Sequence, residues 1–475
     1  MKKAKSILAL LMAFLMLMSV AVTGSAATVA EEKEPNNDKA TASAFGFGTE
    51  IKGALGESTD NDWYSFTSDA AGLACVTMKH DEIADASKNL AYFEIVIYDA
   101  GLKQLTSFRS TGAEKTTASP SFAIDAGATY YVKVKMGTVH SEALEYSLIA
   151  SFDKGAFTEK EPNNQSATAT NLELSTKGNA KHYYGTIAST GNDVDFYRVA
   201  PSAKGVIYLY LYNGSSRSDF KATLYTHDET VDGRLREVPI SSIEINSNED
   251  SKTSVAIGVD AREYMLKVEG LNGKTGGYRT RVFFEAASDA EWEYNGIESE
   301  ANTIAVGKSV RGTISQPSDV DFYKFKAVGE DNIGFDISLG SYDKNSKAEG
   351  SWYITVKDAA TGAVVKETFK DEVKAGEPTV ISTDALVAGR FYYVIVEKGG
   401  NYNSEIYKLS ITAIEPEKDD NDTDELDFFE QIKVYWGMFW KNFEGWFEQI
   451  NIPAIIESIA GSVATVFTML FSAVG

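Results

Sequence analysis

Glu159-Lys160-Glu161-Pro162-Asn163-Asn164, followed after a gap by Asp193-Val194-Asp195-Phe196-Tyr197, is a paired acidic signature that the chain carries three times. The first copy reads Glu32-Lys33-Glu34-Pro35-Asn36-Asn37 and Asp60-Asn61-Asp62-Trp63-Tyr64. The third reads Glu291-Trp292-Glu293-Tyr294-Asn295-Gly296 and Asp319-Val320-Asp321-Phe322-Tyr323, so its opening is degenerate and its second half intact. The tyrosines at 64, 197 and 323 set the repeat length at about 125–130 residues. In extended backbone alternate side chains share a face, so Glu-x-Glu and Asp-x-Asp each present two carboxylates on one side. Residues before proline are pushed toward extended conformations, which suits Glu34 and Glu161 to that role. Carboxylates gathered without a cation repel one another; together with asparagine carbonyls they form a hard-oxygen set that suits Ca²⁺. The alternative is that these acids cap turns and decorate solvated loops.

Outward from the signatures, short alternating segments are separated by Gly, Asp, Ser and Thr. Ala91–Tyr98 and Ala128–Met136 are the clearest strands of the first module. In the latter, Tyr130, Val132, Val134 and Met136 share one face while Tyr131, Lys133 and Lys135 share the other, the period of a half-buried strand. Asp260–Val268 and Ala388–Val396 repeat it, and each module closes on a tyrosine-led strand near Tyr146, Tyr278 or Tyr407. About eight strands per module with little helical periodicity predicts an all-β chain of three tandem antiparallel β-sandwiches, over 28–152, 156–286 and 288–415.

The EPNN opening, the D-x-D-x-Y strand, the A-G-x-x-Y-Y-V-x-V strand and the closing tyrosine strand resemble the bacterial pre-peptidase C-terminal (PPC) domain, including the collagen-binding modules of clostridial collagenases. The resemblance covers about 385 of the 475 residues. It implies a jelly-roll-like sandwich, a non-catalytic accessory to secreted proteases, and in some members calcium at the start of the domain. Carried over by residue, it implies a structural Ca²⁺ at Glu32, Glu34, Asn36, Asp60 and Asp62 in the first module. In the second it implies Glu159, Glu161, Asn163, Asp193 and Asp195, and in the third Glu291, Glu293, Asn295, Asp319 and Asp321. Tyr294 and Gly296 depart from the pattern, and there is no peptidase domain for the modules to accompany.

Residues 1–27 read as a secretory signal: Lys2, Lys3 and Lys5, an apolar run from Ile7 to Val22, then Ser25-Ala26-Ala27. Losing those three lysines takes the formal charge from −23 to −26. That disfavours nucleic acid and anionic membranes and suits a solvated protein, secreted and extracellular or cell-envelope associated, that collects divalent cations. Cys75 is the sole cysteine, which excludes an intrachain disulfide, and its apolar surroundings read as core. His80, His140, His182 and His227 lack metal-ligand spacing, and no H-E-x-x-H, G-x-S-x-G or phosphate-cradling loop occurs. The chain therefore reads as non-enzymatic.

Two regions suggest contacts. In Val206–Tyr212, Ile207, Leu209 and Leu211 alternate with Tyr208, Tyr210 and Tyr212, which form either an exposed ligand-binding row or rings packed under a neighbouring loop or module. After an acidic linker at 416–427, the tail 428–475 carries Phe428, Trp436, Phe439, Trp440, Phe443, Trp446 and Phe447 on a broad helical stripe, a short α-helical segment for a membrane interface, a partner or self-association. The whole reads as an array binding an extracellular glycan or protein. A ligand-free stalk or surface-layer component, or an accessory or inhibitor subunit of a separate protease, are the alternatives.

Overall fold

The computed structural model describes residues 29–83, 88–188, 192–214, 218–229, 235–329, 331–368, 373–376 and 378–414, and residues 227–229 and 235–236 by backbone alone. The secretory segment, the acidic linker and the helical tail lie outside the described residues.

Three β-sandwiches follow one another. In the first, one sheet orders Val29–Glu31, Glu50–Leu55, Leu144–Gly155, Ala71–Lys79 and Thr116–Ala118, with Phe122–Ile124 also paired to Ala71–Lys79. The facing sheet orders Ser43–Ala44, Asn61–Thr67, Thr129–Met136, Ala91–Tyr98 and Gln104–Thr111. The second and third sandwiches repeat this two-sheet plan. Pairing is antiparallel except at the short opening strands, which join their sheets in parallel: Val29–Glu31 on Glu50–Leu55 and Ser43–Ala44 on Asn61–Thr67.

The alternation in the sequence sets what is buried. Tyr130, Val132 and Val134 point into the first core, opposite Phe66, Tyr64 and Asp62 in register. Each sandwich closes its own core, built in the first around Ile51, Phe93 and Leu148, in the second around Leu209, Phe220 and Leu266, and in the third around Trp352, Phe335 and Leu409. Cys75 departs from expectation. The Ala71–Lys79 strand turns Ala74, Val76 and Met78 inward, so Cys75 faces out, half-buried, with its Sγ 3.5 Å from the Ser119 carbonyl.

The junctions are short. Only Ala156 separates the Leu144–Gly155 strand from Phe157–Thr158 of the next sandwich. Across this junction the Ala123 N–H donates to Thr186 Oγ1, and Lys103 Nζ lies 3.0 Å from Glu161 Oε1. Between the second and third sandwiches Val206, Ala256, Ala287 and Ala290 form a small apolar cluster, with Tyr208 and Ile406 against it.

Candidate metal centre

The two halves of each signature meet. The backbone N–H of Trp63 donates to the Asn36 carbonyl at 2.9 Å, that of Phe196 to Asn163 at 2.9 Å and that of Phe322 to Asn295 at 3.0 Å. The residue inside each Glu-x-Glu is fixed as well: Lys33, Lys160 and Trp292 donate their N–H to the side chains of Ser43, Thr170 and Asn302. The peptide before Pro35, Pro162 and Tyr294 is cis in all three, so the degenerate third opening takes the same turn as the other two.

The first glutamate of each pair is anchored at both oxygens. Its Oε1 accepts a backbone N–H, from Ala54 at 2.8 Å, Thr186 at 2.7 Å and Thr313 at 2.6 Å. Its Oε2 accepts the asparagine amide, at 3.0 Å from Asn36, 3.3 Å from Asn163 and 3.2 Å from Asn295. Beneath sit two tyrosines whose hydroxyls are 2.7 Å apart: Tyr64 with Tyr146, Tyr197 with Tyr278, Tyr323 with Tyr407. The closing tyrosine donates to the second aspartate, at 2.5 Å for Asp62, 2.7 Å for Asp195 and 2.5 Å for Asp321. In the first and third sandwiches the other tyrosine donates to the glutamate Oε2. These six tyrosines were not among the candidate site residues. Their signal was present, since Tyr64 lies two residues past Asp62 on the same face and a tyrosine stands at or near the start of each closing strand. A glycine serves each site too: a Cβ at Gly53 or Gly312 would collide with a tyrosine hydroxyl and the glutamate Oε2, and one at Gly185 with Tyr278 and Tyr197.

The structure brings together Glu32, Glu34 and Asp62; Glu159, Glu161 and Asp195; and Glu291, Glu293 and Asp321, with one oxygen from each residue within 4.8 Å of the others. Asp60, Asp193 and Asp319 stand aside from these trios. Each accepts a backbone N–H in its own loop, from Gly56, Ala188 and Ser315.

Burial makes the clusters electrostatically demanding. Loss of solvent, then neighbouring carboxylates, push Asp62 up to about 8 against the pull of the Tyr146 hydrogen bond. Burial likewise drives Glu159 and Glu291 up, and Asp195, Asp321 and Glu293 well above the carboxylate range. A divalent cation would remove that penalty. A sharper indication is the set of buried oxygens that lack a hydrogen bond. Oδ1 of Asn36 and of Asp62, Oδ1 of Asn163 and of Asp195, and Oδ1 of Asn295 and of Asp321 all lack a donor while fully buried. Buried oxygens ordinarily find a partner. The same two atoms lacking one in all three sandwiches fit a hard cation bound by oxygen alone.

Tyr208, Tyr210 and Tyr212 lie on the outer face of the second sandwich, half-buried, with Ile207, Leu209 and Leu211 in the core behind them. They are not an open platform. Arg281 stacks 4.0 Å over the Tyr210 ring and Arg279 4.4 Å over Tyr212, while Tyr208 packs beside Phe283 and the junction cluster.

No family model matches the chain, and no curated relative matches it. Solved structures similar to it include the pre-peptidase C-terminal domain of collagenase from Bacillus anthracis, at 17% identity over 24% of this chain and 95% of that one, with a TM-score of 0.18. The CBM22-1-CBM22-2 tandem domain of Paenibacillus barcinonensis Xyn10C is also similar, at 12% identity over 49% and 84% of the chains and a TM-score of 0.19. So are the tandem CBM51 modules of Sp3GH98 from Streptococcus pneumoniae, at 10% identity over 78% and 85% with a TM-score of 0.17.

Proposed function

We propose that the chain is a non-catalytic array of three calcium-stabilised sandwiches, with module boundaries near 152–156 and 286–288, that binds an extracellular polymer or protein. The observation that carries the metal part is the recurring pair of unpartnered, fully buried Asn and Asp oxygens beside three converging carboxylates. One arrangement repeated three times supports a structural task per module over a single active site. Within each site the first glutamate, the asparagine and the second aspartate hold the cation from fixed positions. The second glutamate reaches in from the turn, and the tyrosine pair holds the aspartate in place. The cation would supply cross-linking of the opening turn to the central strand. The leader-like residues 1–27 and the strongly acidic formal charge support an extracellular setting, and the aromatic tail supports attachment there.

Calorimetric titration of the full-length chain with calcium should fit three sites. Its melting point should rise with calcium and fall with chelator, because a ligand held by the native state alone stabilises it by RT ln(1 + [L]/Kd). No binding heat together with equal midpoints would remove the metal from the proposal.

A further inference from the structure

The half-buried tyrosine row of the second sandwich is one half of a two-strand ladder. Gly205–Asn213 pairs with Gly276–Ala286 so that Tyr208 faces Phe283, Tyr210 faces Arg281 and Tyr212 faces Arg279. Each guanidinium sits over its cross-strand tyrosine ring, 4.4 Å for Arg279 and 4.0 Å for Arg281, and the Tyr210 and Tyr212 rings stack in parallel at 10° with centroids 6.4 Å apart. The ring faces are thereby occupied. What the ladder offers a ligand is the donor edge of two guanidiniums, held rigid by the rings beneath them.

These cations are poorly neutralised. Arg281 pairs with no carboxylate among the described residues. The Arg279 guanidinium approaches Asp153 only to 3.7 Å, and Asp153 is largely exposed. The Nε of both arginines is buried without a partner, as is Nδ1 of the adjacent His182. Glu285 lies toward the Tyr208 end, and Arg311 there already pairs with Asp289 at 2.7 Å. The concentration of arginine is a departure for this chain: seven of its ten arginines fall within 156–286, in a protein of formal charge −23.

We propose that this ladder binds a linear carboxylated polysaccharide, with Arg279 and Arg281 each receiving a carboxylate. The partner follows from the chemistry. Guanidinium forks match planar carboxylates and bind them bidentately. Residues two apart on a strand repeat about every 7 Å, which presents the cations as a regular row to a polymer with regularly spaced anions. Single-stranded nucleic acid would need free aromatic faces for its bases, and here the guanidiniums cover them. The inference deepens the polymer-binding part of the proposed function and rests on it.

The test is affinity electrophoresis of the full-length chain in gels containing polygalacturonate, neutral dextran, collagen or polyglutamate, with calcium and with chelator. Retardation is expected in polygalacturonate alone, persisting in chelator and weakening with added salt. Arg281→Gln should reduce affinity on the order of tenfold, the scale of one charge-assisted pair, and Arg279→Gln similarly. Tyr210→Phe keeps the ring and should bind within about twofold of the parent, with circular dichroism confirming that all variants fold. Unchanged binding by Arg281→Gln, or retardation that vanishes in chelator while circular dichroism shows the chain still folded, would overturn the ladder. Retardation by polyglutamate in place of polygalacturonate would overturn the glycan. Binding to dextran or collagen untouched by Arg281→Gln would refute the ladder while leaving the array intact, and no binding to any polymer would refute both.

Discussion

The first and third acidic sites share one arrangement and differ in cover. In the first, Glu34 is exposed and Glu32 half-buried beside a cavity of about 710 Å³ that Lys52, Lys79 and His80 help to line. In the third, Glu291 and Glu293 are buried along with Asp321, and the second sandwich lies against the two glutamates. The Glu293 N–H donates to the Gly258 carbonyl at 3.0 Å, and a Cβ on Gly258 would strike Glu291. The copy with the more degraded motif is therefore the more enclosed one. Proline at the turn and the second asparagine are what the third copy lacks, and neither belongs to the converging trio. A module can lose its sequence hallmark and keep its carboxylates, provided a neighbour supplies the shielding.

The largest expected difference lies at the paired glycines. Gly312→Ala forces a Cβ against two tyrosine hydroxyls and a buried glutamate that cannot move aside. It should cost about 3 kcal/mol, the upper part of the usual range for overpacking. At Gly53 a Cβ also meets the buried Tyr64 hydroxyl, but the half-buried Glu32 can swing outward, so Gly53→Ala should cost less, about 2 kcal/mol. Urea unfolding of both variants in calcium checks this, and equal losses would break the comparison.

Next in size is the response to pH in chelator. Carboxylates whose folded pKa is raised bind more protons in the native state than in the unfolded one. Their contribution is complete below the ordinary carboxylate range and is lost as pH climbs toward about 8, the level reached by Asp62 and Glu291. The metal-free chain should thus melt lower at pH 8 than at pH 5. Hydrogen exchange should open the Val320–Lys326 strand more than Asn61–Thr67, since burial raises Glu291, Glu293 and Asp321 together at the third site and Asp62 at the first. Calcium should flatten the dependence. A chelated chain that gains stability between pH 5 and pH 8 would contradict the burial argument.

The smallest effect concerns the intermediate second site. Lys103 reaches from the first sandwich to Glu161, and both side chains are partly exposed. Lys103→Ala should alter stability by less than about 1 kcal/mol and raise calcium affinity at that site a few-fold by removing a competing cation. Calorimetric titration resolves it; a fall in affinity would show that the lysine organises the site.

Much of the architecture was legible because a period of two is a local property. Thr129–Met136 and Ala91–Tyr98 announce themselves residue by residue, and the repeated signatures mark where each sandwich opens. The sites were legible in their glutamates and second aspartates, whereas Asp60, Asp193 and Asp319 turn back to cap their own loops. The tyrosines were legible one by one but not as pairs, because Tyr64 reads as a core residue until Tyr146 arrives from a strand 82 positions away. The third opening reads as degenerate because Tyr294 and Gly296 replace the Pro and Asn of the other copies, whereas its gathered carboxylates come from 291, 293 and 321. The ladder was half visible. Tyr208–Tyr212 could be read from one strand, but its arginines lie about 70 residues on and only register brings them opposite. Cys75 was assigned to the core from the hydrophobicity of its neighbours, when the strand's alternation turns it outward.

The hydroxyl pairs also give the molecule an optical signature. Tyr64, Tyr146, Tyr197, Tyr278, Tyr323 and Tyr407 all have their ionisation pushed far upward, by burial first and by adjacent acids after it. They are six of the chain's 24 tyrosines. In strong alkali the native chain will therefore show at least a quarter of its tyrosinate absorbance missing. That fraction appears only as the sandwiches open, so ultraviolet light alone reports whether the floors of the three acidic sites are still closed.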